Sequence, residues 1–425
     1  LLGFVHLGLV LGCDTTLAEV RRIPFDGRLF ADRTERLSRF VYEPTDPSQV
    51  DYADELADRL QRAIRRRATN PGQKGLLLSG GYDSRTVLAC LPGVDDCFTI
   101  GLVDSPETNV AKRVANQYGA NHETLVVDSR YLNTTPDVVR YGHGIKESLH
   151  IHHAGYTAQM NVDTMYHGLL FDTFLRGHFL PTDGVDLFGR TFPRARLDPD
   201  PDPVGTLMHD SFGYIPASQR VFPDCQRIPE GSEEFVRERL QRQFDALDDR
   251  YDSVYNGIEL VGIQNQPTTT FRSHLADHYI ESFVAADAEL LDWHLTTPPE
   301  YRSNDTFLEA IRRIDPEILK HRPPDRPHDS YRLNEVERFV RSNVPFLTPF
   351  TKSWPNREQQ YEQRGLDQEL FSGYPELHDL PVRLKLRIND IRCWLNDVAD
   401  ADDVTPLDVL CPRTHGPVGI ESPTD

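Results

Sequence analysis

The sequence predicts an α/β fold with a doubly wound parallel sheet, followed by a mostly helical C-terminal region. Two observations lead to this prediction. Apolar runs of strand length alternate with helical patterns between residues 51 and 167, and a glycine pair at 80–81 separates one buried strand from the helix after it. Parallel strands need crossover connections, so this alternation favours a parallel sheet with helices on both faces.

The first helix of the alternating region is predicted at 51–67, where Leu56, Leu60 and Ile64 recur at helical spacing. Its acidic residues come early and its arginines late, which suits the helix dipole. The elements predicted after it are strand 75–78, helix 85–91, strand 97–102, helix 106–118, strand 123–127, a long helical stretch at 135–160 and strand 162–167.

The rest of the chain changes in composition. Residues 181–230 are rich in Pro, Asp and Arg, which predicts a long irregular insertion. The polar tail from about residue 400 is expected to be mobile. Further helices are predicted near 232–248, 256–264, 270–296, 305–314, 334–343 and 379–399.

The composition limits the classes of function. The chain has 425 residues and a formal net charge of −20, which argues against nucleic-acid binding because phosphate contacts need basic surfaces. Its basic residues are almost all arginine. An acidic chain with few lysines suits a high-salt cytoplasm, possible halophily included, and a mesophilic acidic protein explains it equally well.

The six cysteines are widely spaced and form no C-x-x-C pair, which argues against a zinc ribbon or a thioredoxin-like motif. Reduced thiols in a cytoplasmic protein are the simpler interpretation. The apolar opening segment 1–12 is too short to span a bilayer. It also lacks a basic start, so a signal peptide is not expected.

The strongest motif is the segment Ser-Gly-Gly-Tyr-Asp-Ser at 79–84, between a predicted strand and a predicted helix. Backbone N–H groups at a helix N-terminus bind anions, and glycines let the backbone approach phosphates closely. An aspartate in such a loop implies Mg²⁺ between it and the phosphates. A plain β-turn is disfavoured because six positions match in this setting, and a Walker A ending is missing. The predicted pyrophosphate ligands are Ser79, Gly80, Gly81, Asp83 and Ser84.

The loop resembles the Ser-Gly-Gly-x-Asp-Ser signature of the ATP-pyrophosphatase group, and its surroundings are similar to asparagine synthetases. Leu11 to Thr16 resembles the point where that family leaves its glutaminase domain. Phe98-Thr99-Ile100-Gly101 and His122-Glu123 resemble the family's second and third strands. The resemblance covers about residues 5–325. It implies a divergent synthetase domain of the adenine-nucleotide α-hydrolase type, without the glutaminase domain.

The resemblance also implies a domain division. Residues before 51 would be the remnant of the segment that joins a glutaminase domain. The other predicted units are the ATP-binding core at 51–180, the insertion at 181–230, the helical part of the synthetase domain at 231–330 and a helical C-terminal extension at 331–425.

The family's chemistry implies an ATP-dependent, amide-forming ligase with ATP and Mg²⁺ as cofactors. A carboxylate of aspartate or another acid attacks ATP, which gives an acyl-adenylate and pyrophosphate, and an amine then displaces AMP. The expected partners are a small carboxylate acceptor and either ammonia or a separate amidotransferase subunit, with a possible homodimer. Neither nucleic acid nor a membrane is expected as a partner.

The same resemblance places further residues in the site. The adenine pocket would be lined by Leu77, Leu78, Ile100 and Gly101. The family's second loop falls at 167–172, where His167 and Gly168 would contact the nucleotide. Asp172 would be the second metal carboxylate beside Asp83, because two carboxylates from separate strand ends can hold one Mg²⁺.

Three positions depart from the family pattern. Leu169 replaces the loop glutamate that assists the amine, and the two family lysines fall at Asp305 and Pro324. Leucine and proline neither transfer protons nor carry charge. The chain is therefore interpreted either as a ligase with substitute residues or as a nucleotide-binding paralogue that lost the chemistry.

Substitutes exist in the sequence. Glu147 and His150 are three residues apart, so a helix would place them on one face as a proton-transfer pair, although a solvated surface pair is the alternative. Arg322 is the predicted catalytic cation, with Lys146 and Lys320 as alternatives. Zinc is disfavoured: the histidines at 143–153 lack a second ligand group. Sulfur transfer to tRNA is disfavoured because a reactive cysteine pair and a basic face are missing.

Overall fold

The computed structural model describes residues 1–187, 190–216, 231–266, 268–328, 330–350, 355–398 and 404–410. The strands are β1 Gly27–Leu29, β2 Thr34–Arg36, β3 Lys74–Leu77, β4 Asp96–Gly101, β5 Asn121–Val126, β6 Thr164–His167, β7 Thr182–Leu187, β8 Arg190–Leu197 and β9 Ile280–Phe283. The helices of the first half are α1 Leu2–Leu7, α2 Tyr52–Arg66, α3 Tyr82–Cys90, α4 Pro106–Gln117, α5 Pro136–Val139, α6 Phe171–Leu175 and α7 Pro203–Gly205. The later helices are α8 Ser232–Asp245, α9 Val254–Asn265, α10 Thr269–His278, α11 Ala288–Thr296, α12 Asn304–Ile314, α13 Tyr331–Asn343, α14 Arg357–Gln363, α15 Leu366–Phe371, α16 Val382–Cys393 and α17 Pro406–Leu410.

The central sheet has the strand order β5-β4-β3-β6-β9, and every neighbouring pair in it is parallel. The chain adds β4 and β5 on one side of β3, and then crosses back to add β6 and β9 on the other side. Such a reversal leaves a crevice at the carboxyl ends of the two strands where it occurs, here β3 and β6. The predicted α/β fold with a parallel sheet is confirmed.

Hydrophobic cores cover both faces of the sheet. Since alternate residues of a strand point to opposite faces, one strand can contribute side chains to both cores. Leu76 and Leu78 belong to the main hydrophobic core, which also contains buried residues of α2, α3 and α4. Phe98 and Ile100 belong to a second core on the opposite face. Two layers of cover make the sheet doubly wound and bury its strands.

Most of the predicted elements are present. The predicted strands at 75–78, 97–102, 123–127 and 162–167 correspond to β3, β4, β5 and β6 within two residues. The helix predicted at 51–67 is α2. Its N-terminal residue Asp51 accepts hydrogen bonds from the N–H groups of Ala53 and Asp54, so the capping side chain fixes where the helix begins.

The prediction of a long helix at 135–160 is wrong. Only α5 is α-helical there, and short 3₁₀ turns follow at Arg140–Gly142, Ser148–His150 and Ala154–Gln159. His143 and Gly144 have φ values of 52° and 62°, in the left-handed region, which ends a right-handed helix. The apolar spacing alone did not reveal this interruption.

Two other predictions need correction. The helix predicted at 270–296 is divided into α10 and α11 by strand β9, which pairs with β6 from Thr164↔Ile280 to His167↔Phe283. The insertion predicted as irregular contains the antiparallel β7–β8 pair. Residues 217–230 of that insertion, and the tail beyond 410, lie outside the described residues.

The two ends of the described chain share one hydrophobic core. Phe4 and Val5 of α1 pack with Leu384 and Ile388 of α16. Arg387 of α16 is fully buried and donates hydrogen bonds to backbone carbonyls of α1. The C-terminal helices thus form part of the packed structure beside the sheet. Among the described residues, no helix is both long and apolar enough to cross a membrane.

Candidate functional site

A cavity of about 500 Å³ lies where β3, β4 and β6 end. The loops after β3 and β6 form one side of it, and the segment of 3₁₀ turns at 140–159 contributes much of the other. Its lining residues are Leu77, Leu78, Ser79, Asp83, Ser84, Phe98, Ile100, Lys146, His150, His152, His153, His167, Gly168, Leu169, Leu170, Asp172, Gln266, Thr268, Thr270, Phe271 and Arg357.

The loop at 79–84 is held in shape by its own serines. The Ser79 N–H donates to Ser84 Oγ at 3.0 Å, and the Gly81 N–H donates to Ser79 Oγ at 3.1 Å. Helix α3 begins at Tyr82, so its first turn follows directly on the glycines. This arrangement presents a helix N-terminus to the cavity, as an anion-binding loop requires.

One N–H group of the loop already has an acceptor. The Gly80 N–H donates to Glu107 Oε1 at 2.5 Å, and a Cβ on Gly80 would lie only 2.6 Å from Glu107 Oε2. Glu107 is a buried residue in the first turn of α4. Sequence reasoning missed this carboxylate, because nothing in its local pattern indicates a contact with a loop 27 residues away.

The loop after β6 packs directly against the loop after β3. A Cβ on Gly168 would lie 2.7 Å from the Ser84 backbone nitrogen and 2.8 Å from the Asp83 carbonyl carbon. Real Cβ atoms do not approach backbone so closely, so only glycine allows this contact. Gly168 thereby brings the two predicted carboxylates, Asp83 and Asp172, into one part of the cavity.

Those carboxylates have an arginine and a histidine as neighbours. Asp83 Oδ1 lies 3.1 Å from Arg176 Nη1, and Asp172 Oδ2 lies 3.7 Å from His178 Nδ1. Burial raises the pKa of Asp83, Arg176 opposes that shift, and the nearby charge of Asp172 adds to it. Both carboxylates also line the same cavity. We call the part of the cavity formed by Ser79, Asp83, Ser84, Gly168 and Asp172 the carboxylate end.

The carboxylate end offers two carboxylates to a metal ion. The described residues contain no group of three or more His, Cys, Asp or Glu side chains that could hold an ion. Mg²⁺ commonly binds through only one or two carboxylates plus substrate phosphates. Asp83 Oδ1 is buried and, apart from its ion pair with Arg176 at 3.1 Å, has no hydrogen-bond partner among the described residues. Two carboxylates with such an oxygen fit a Mg²⁺ ion that arrives with a nucleotide.

His167 ends β6 and is fixed by the neighbouring strand. Its Nε2 lies 3.1 Å from Glu281 Oε1 on β9, and Arg272 donates two hydrogen bonds to the same carboxylate at 2.8 and 2.9 Å. Burial lowers the pKa of His167, although Glu281 opposes the shift. His167 therefore lines the cavity as a positioned, neutral imidazole.

The opposite part of the cavity carries positive charge. Lys146 is 7% exposed and lines the cavity, and in the described part of the chain its Nζ makes no hydrogen bond. Burial lowers the pKa of Lys146 to about 8, which the adjacent Glu147 partly opposes. His150, His153 and Arg357 line the same region. We call the part formed by Lys146, His150, His153 and Arg357 the cationic end.

Glu147 does not line the cavity. Its carboxylate receives hydrogen bonds from Arg383 Nη2 at 2.5 Å and Arg387 Nε at 2.8 Å, both on α16. His150 Nε2 is 3.6 Å away, beyond hydrogen-bond distance. The nearby His150, Arg387 and Arg383 hold the pKa of Glu147 well below its ordinary value despite burial, which makes it a poor proton acceptor. The contacts with α16 show that Glu147 anchors that helix, and the proton-transfer role of Glu147 with His150 stays a prediction.

Arg322 also lies outside the cavity lining. Its side chain is exposed and donates from Nη1 to the carbonyl of Pro327 at 2.6 Å. Two arginines that the sequence did not single out act on Asp83, although neither lines the cavity: Arg176 contacts it, and the charge of Arg326 lowers its pKa. Arg326 lies two residues beyond Pro324, so the charge expected at this loop is present at a shifted position.

The remaining predicted residues divide into two groups. Those that line the cavity are Leu77, Leu78, Ser79, Asp83, Ser84, Ile100, His150, His167, Gly168 and Asp172. Gly80 and Gly81 shape the loop without lining the cavity. Gly101 faces α4, where an added Cβ would lie 2.8 Å from Thr108 Cγ2.

The comparison with known proteins agrees with this geometry. The family model described as asparagine synthase matches residues 55–159, which contain most of α2, together with β3, the loop at 79–84 and the segment of 3₁₀ turns. Residues 55–159 are an asparagine synthase domain. Its sheet is of the adenine-nucleotide α-hydrolase type, as the resemblance implied.

The relatives of this domain are distant. A probable asparagine synthetase [glutamine-hydrolyzing] of Acanthamoeba polyphaga mimivirus is 30% identical over 134 residues, which cover 28% of this chain and 24% of that protein. An asparagine synthetase [glutamine-hydrolyzing] of Rattus norvegicus is 37% identical over 76 residues, covering 16% of this chain and 14% of that protein. The matches thus span less than a quarter of each relative's length.

Proposed function

We propose that the chain is an ATP-dependent ligase that activates a carboxylate and converts it to an amide. The observation that supports this most is the contact between the loop after β3 and the loop after β6. Through Gly168 it joins an anion-binding helix N-terminus to two carboxylates at one end of a cavity. A nucleotide site of this kind fits an asparagine synthase domain, whose family implies ATP use.

In the proposed reaction an oxygen of the acceptor carboxylate attacks the α-phosphorus of ATP. The bond between the α-phosphorus and the bridging oxygen breaks, and pyrophosphate leaves with that electron pair. The nitrogen of an amine then attacks the acyl carbon, AMP leaves with the carbon–oxygen bond electrons, and the nitrogen loses its proton. Ammonia would come from solution or from a separate amidotransferase subunit.

The residues of the carboxylate end have distinct roles in this proposal. Ser79, Ser84 and the first turn of α3 would bind the pyrophosphate part of ATP. Asp83 and Asp172 would hold Mg²⁺, which neutralises phosphate charge when pyrophosphate departs. Leu77 and Ile100 provide apolar surface for the adenine ring. The protein's share of the catalysis is therefore mainly positioning and charge stabilisation.

Arg176 and Arg326 are the proposed substitutes for the family lysines. Arg176 is mostly buried, contacts Asp83 and lies over the ring of Phe307 at 5.5 Å, so its guanidinium is held in place. Guanidinium groups bind phosphate oxygens in two-pronged geometry. Free thiols such as the buried Cys90 and Cys97 suit a reducing cytoplasm, which we propose as the location.

A second candidate function is nucleotide binding without chemistry. Leu169 lines the cavity where the family carries a glutamate, and it cannot assist an amine. Glu107 also accepts the Gly80 N–H, so a carboxylate already occupies part of the loop. These two observations favour a paralogue that binds ATP but forms no adenylate.

The test is pyrophosphate release from Mg-ATP, measured with a panel of carboxylic acids plus ammonia. We expect release that depends on one class of acid and falls at least ~1000-fold in Asp83→Asn, because that variant loses a charge at the metal. Asp32→Asn is the matched control, since Asp32 is exposed and does not line the cavity. Absent release, with ATP still bound, would reject the ligase proposal in favour of the second candidate, whereas acid-independent release would reject both.

A further inference from the structure

The two ends of the cavity differ in charge. Of the described residues that line it, the carboxylates are Asp83 and Asp172, and both belong to the carboxylate end. The cationic end carries Lys146 and Arg357. The charge of Glu147, next to Lys146, is balanced by ion pairs with Arg383 and Arg387. The cationic end is therefore electrostatically suited to an anion and unsuited to an ammonium group.

The cationic end also contains an unsatisfied imidazole. His153 is fully buried, and both of its ring nitrogens lack a hydrogen-bond partner among the described residues. Its ring is in contact with those of Phe271 and His274, at centroid distances of 4.5 and 4.7 Å. Leaving buried polar atoms unpaired costs about 1–3 kcal/mol, so a bound group that pairs with them gains that energy.

His153 can offer both a donor and an acceptor. Burial holds its pKa well below the ordinary value, as do the neighbouring imidazoles, so the ring is neutral, with one N–H and one lone pair. A hydroxyl group donates and accepts in the same way, whereas an ammonium group only donates. The cationic end thus combines positive charge for a carboxylate with a neutral imidazole for a hydroxyl.

We propose that the cationic end binds the acceptor, and that the acceptor is a hydroxylated carboxylic acid without an ammonium group, bound by Lys146, Arg357 and His153. This inference rests on the proposed ligase function and specifies its substrate class. It departs from the aspartate that the names of the relatives imply, because aspartate carries an ammonium group next to its carboxylates.

The test is a binding measurement with three matched acids. L-malate and L-aspartate differ only in a hydroxyl in place of the ammonium group, and succinate has neither. Calorimetry is done with each acid on the full chain, with and without Mg²⁺ and the α,β-methylene analogue of ATP. We expect L-malate to bind at least ~10-fold more tightly than L-aspartate, with succinate between them. Equal or tighter binding of L-aspartate would overturn the inference, and so would the failure of all three acids to bind.

Two variants locate the site. Lys146→Met keeps the length of the side chain without its charge, and His153→Phe keeps the ring without its nitrogens. We expect each to weaken L-malate binding at least ~10-fold while binding of the ATP analogue is unchanged. Lys112→Met is the matched control, because Lys112 is exposed on α4. Unchanged L-malate binding in both variants would overturn the assignment of the site.

The measurement separates this inference from the proposed function, because it requires no turnover. Pyrophosphate release with L-aspartate as the preferred acid would support the ligase and reject the hydroxylated acceptor. Selective L-malate binding in the absence of any pyrophosphate release would support the acceptor site and reject the ligase. Since the acid series is run on the unmodified chain, a variant that fails to fold leaves the main comparison intact.

Discussion

The carboxylate end and the cationic end of the cavity are built in different ways. Most of the carboxylate end comes from two short segments, 79–84 and 167–172, each placed at the end of a sheet strand. The cationic end comes from the 3₁₀ turns around 146–153 and from Arg357. That region carries no regular hydrogen-bonded strand or long helix of its own.

The cationic end depends on contacts with distant parts of the chain. The Glu147 carboxylate beside Lys146 is held by Arg383 and Arg387 of α16, more than 230 residues away in sequence. The backbone of this region is also held by the N-terminal segment, through the bridge between Leu9 and Lys146. The carboxylate end should therefore tolerate loss of α16 contacts, whereas the cationic end should not.

The largest expected effect comes from breaking this support with Glu147→Gln. Removing one partner of a buried ion pair leaves uncompensated charge, here on Arg387, and costs about 3–5 kcal/mol of unfolding free energy. Chemical denaturation measures the loss, and L-malate binding should weaken more than ATP binding. Glu309→Gln is the control, because its pair with Arg312 is exposed and should contribute less than about 1 kcal/mol. Equal losses of unfolding free energy in Glu147→Gln and Glu309→Gln would show that the cationic end does not depend on the buried ion pair with α16.

The next effect concerns the carboxylate end alone. Gly168→Ala would place a Cβ 2.7 Å from the Ser84 nitrogen, and the loop at 79–84 would have to move. We expect affinity for the ATP analogue to fall about 100-fold, equivalent to about 2.7 kcal/mol, with L-malate binding little changed. Gly373→Ala is the control, because an added Cβ there meets no atom within 4 Å. Unchanged nucleotide affinity would show that the loop contact is not needed for ATP.

The smallest effect is a pH dependence of the cationic end. The pKa of Lys146 is about 8, below the ordinary 10.5, so its positive charge is present below pH 8 and lost above it. Glu147, whose pKa lies well below its ordinary value, keeps its charge across this range, and His150, with a lowered pKa, stays neutral. L-malate affinity should fall about 10-fold between pH 7 and pH 9.

Lys146→Arg sharpens this prediction, because a guanidinium stays protonated throughout the range. Its L-malate affinity should be nearly constant between pH 7 and pH 9. A fall of the same size in Lys146→Arg would assign the titration to another group. Titration of the carboxyls of L-malate itself is complete below pH 7, so it contributes nothing to the change.

The fold could be predicted largely because its signals are local. Buried strands such as β3 and β4 are contiguous apolar runs, and α2 has its own periodicity and its own cap at Asp51. β9 was missed because four residues between two helices carry no strand signal. Only the pairing of β9 with β6 makes it a strand.

In the candidate site, too, the residues with a local sequence signal were predicted and those placed by distant contacts were not. The loop residues and Asp172 were predicted because they form a contiguous motif or follow directly on a strand. Glu147 was paired with His150 in the prediction because a helix was expected at 135–160. With His143 and Gly144 in left-handed conformations, the chain turns there instead, and the Glu147 carboxylate meets α16. Arg176 and Arg357 were missed because neither belongs to a recognisable motif.

The sequence by itself determined the parallel sheet, the loop at 79–84 and the positions of the two carboxylates, since each depends on residues adjacent in the chain. Only the tertiary structure decided that Gly168 closes the two loops together, that Glu107 reaches Gly80, and that Lys146 is buried in the same cavity. Those contacts join segments that are far apart in the chain. Their energies come from burial and charge pairing in the folded molecule, which local sequence patterns do not record.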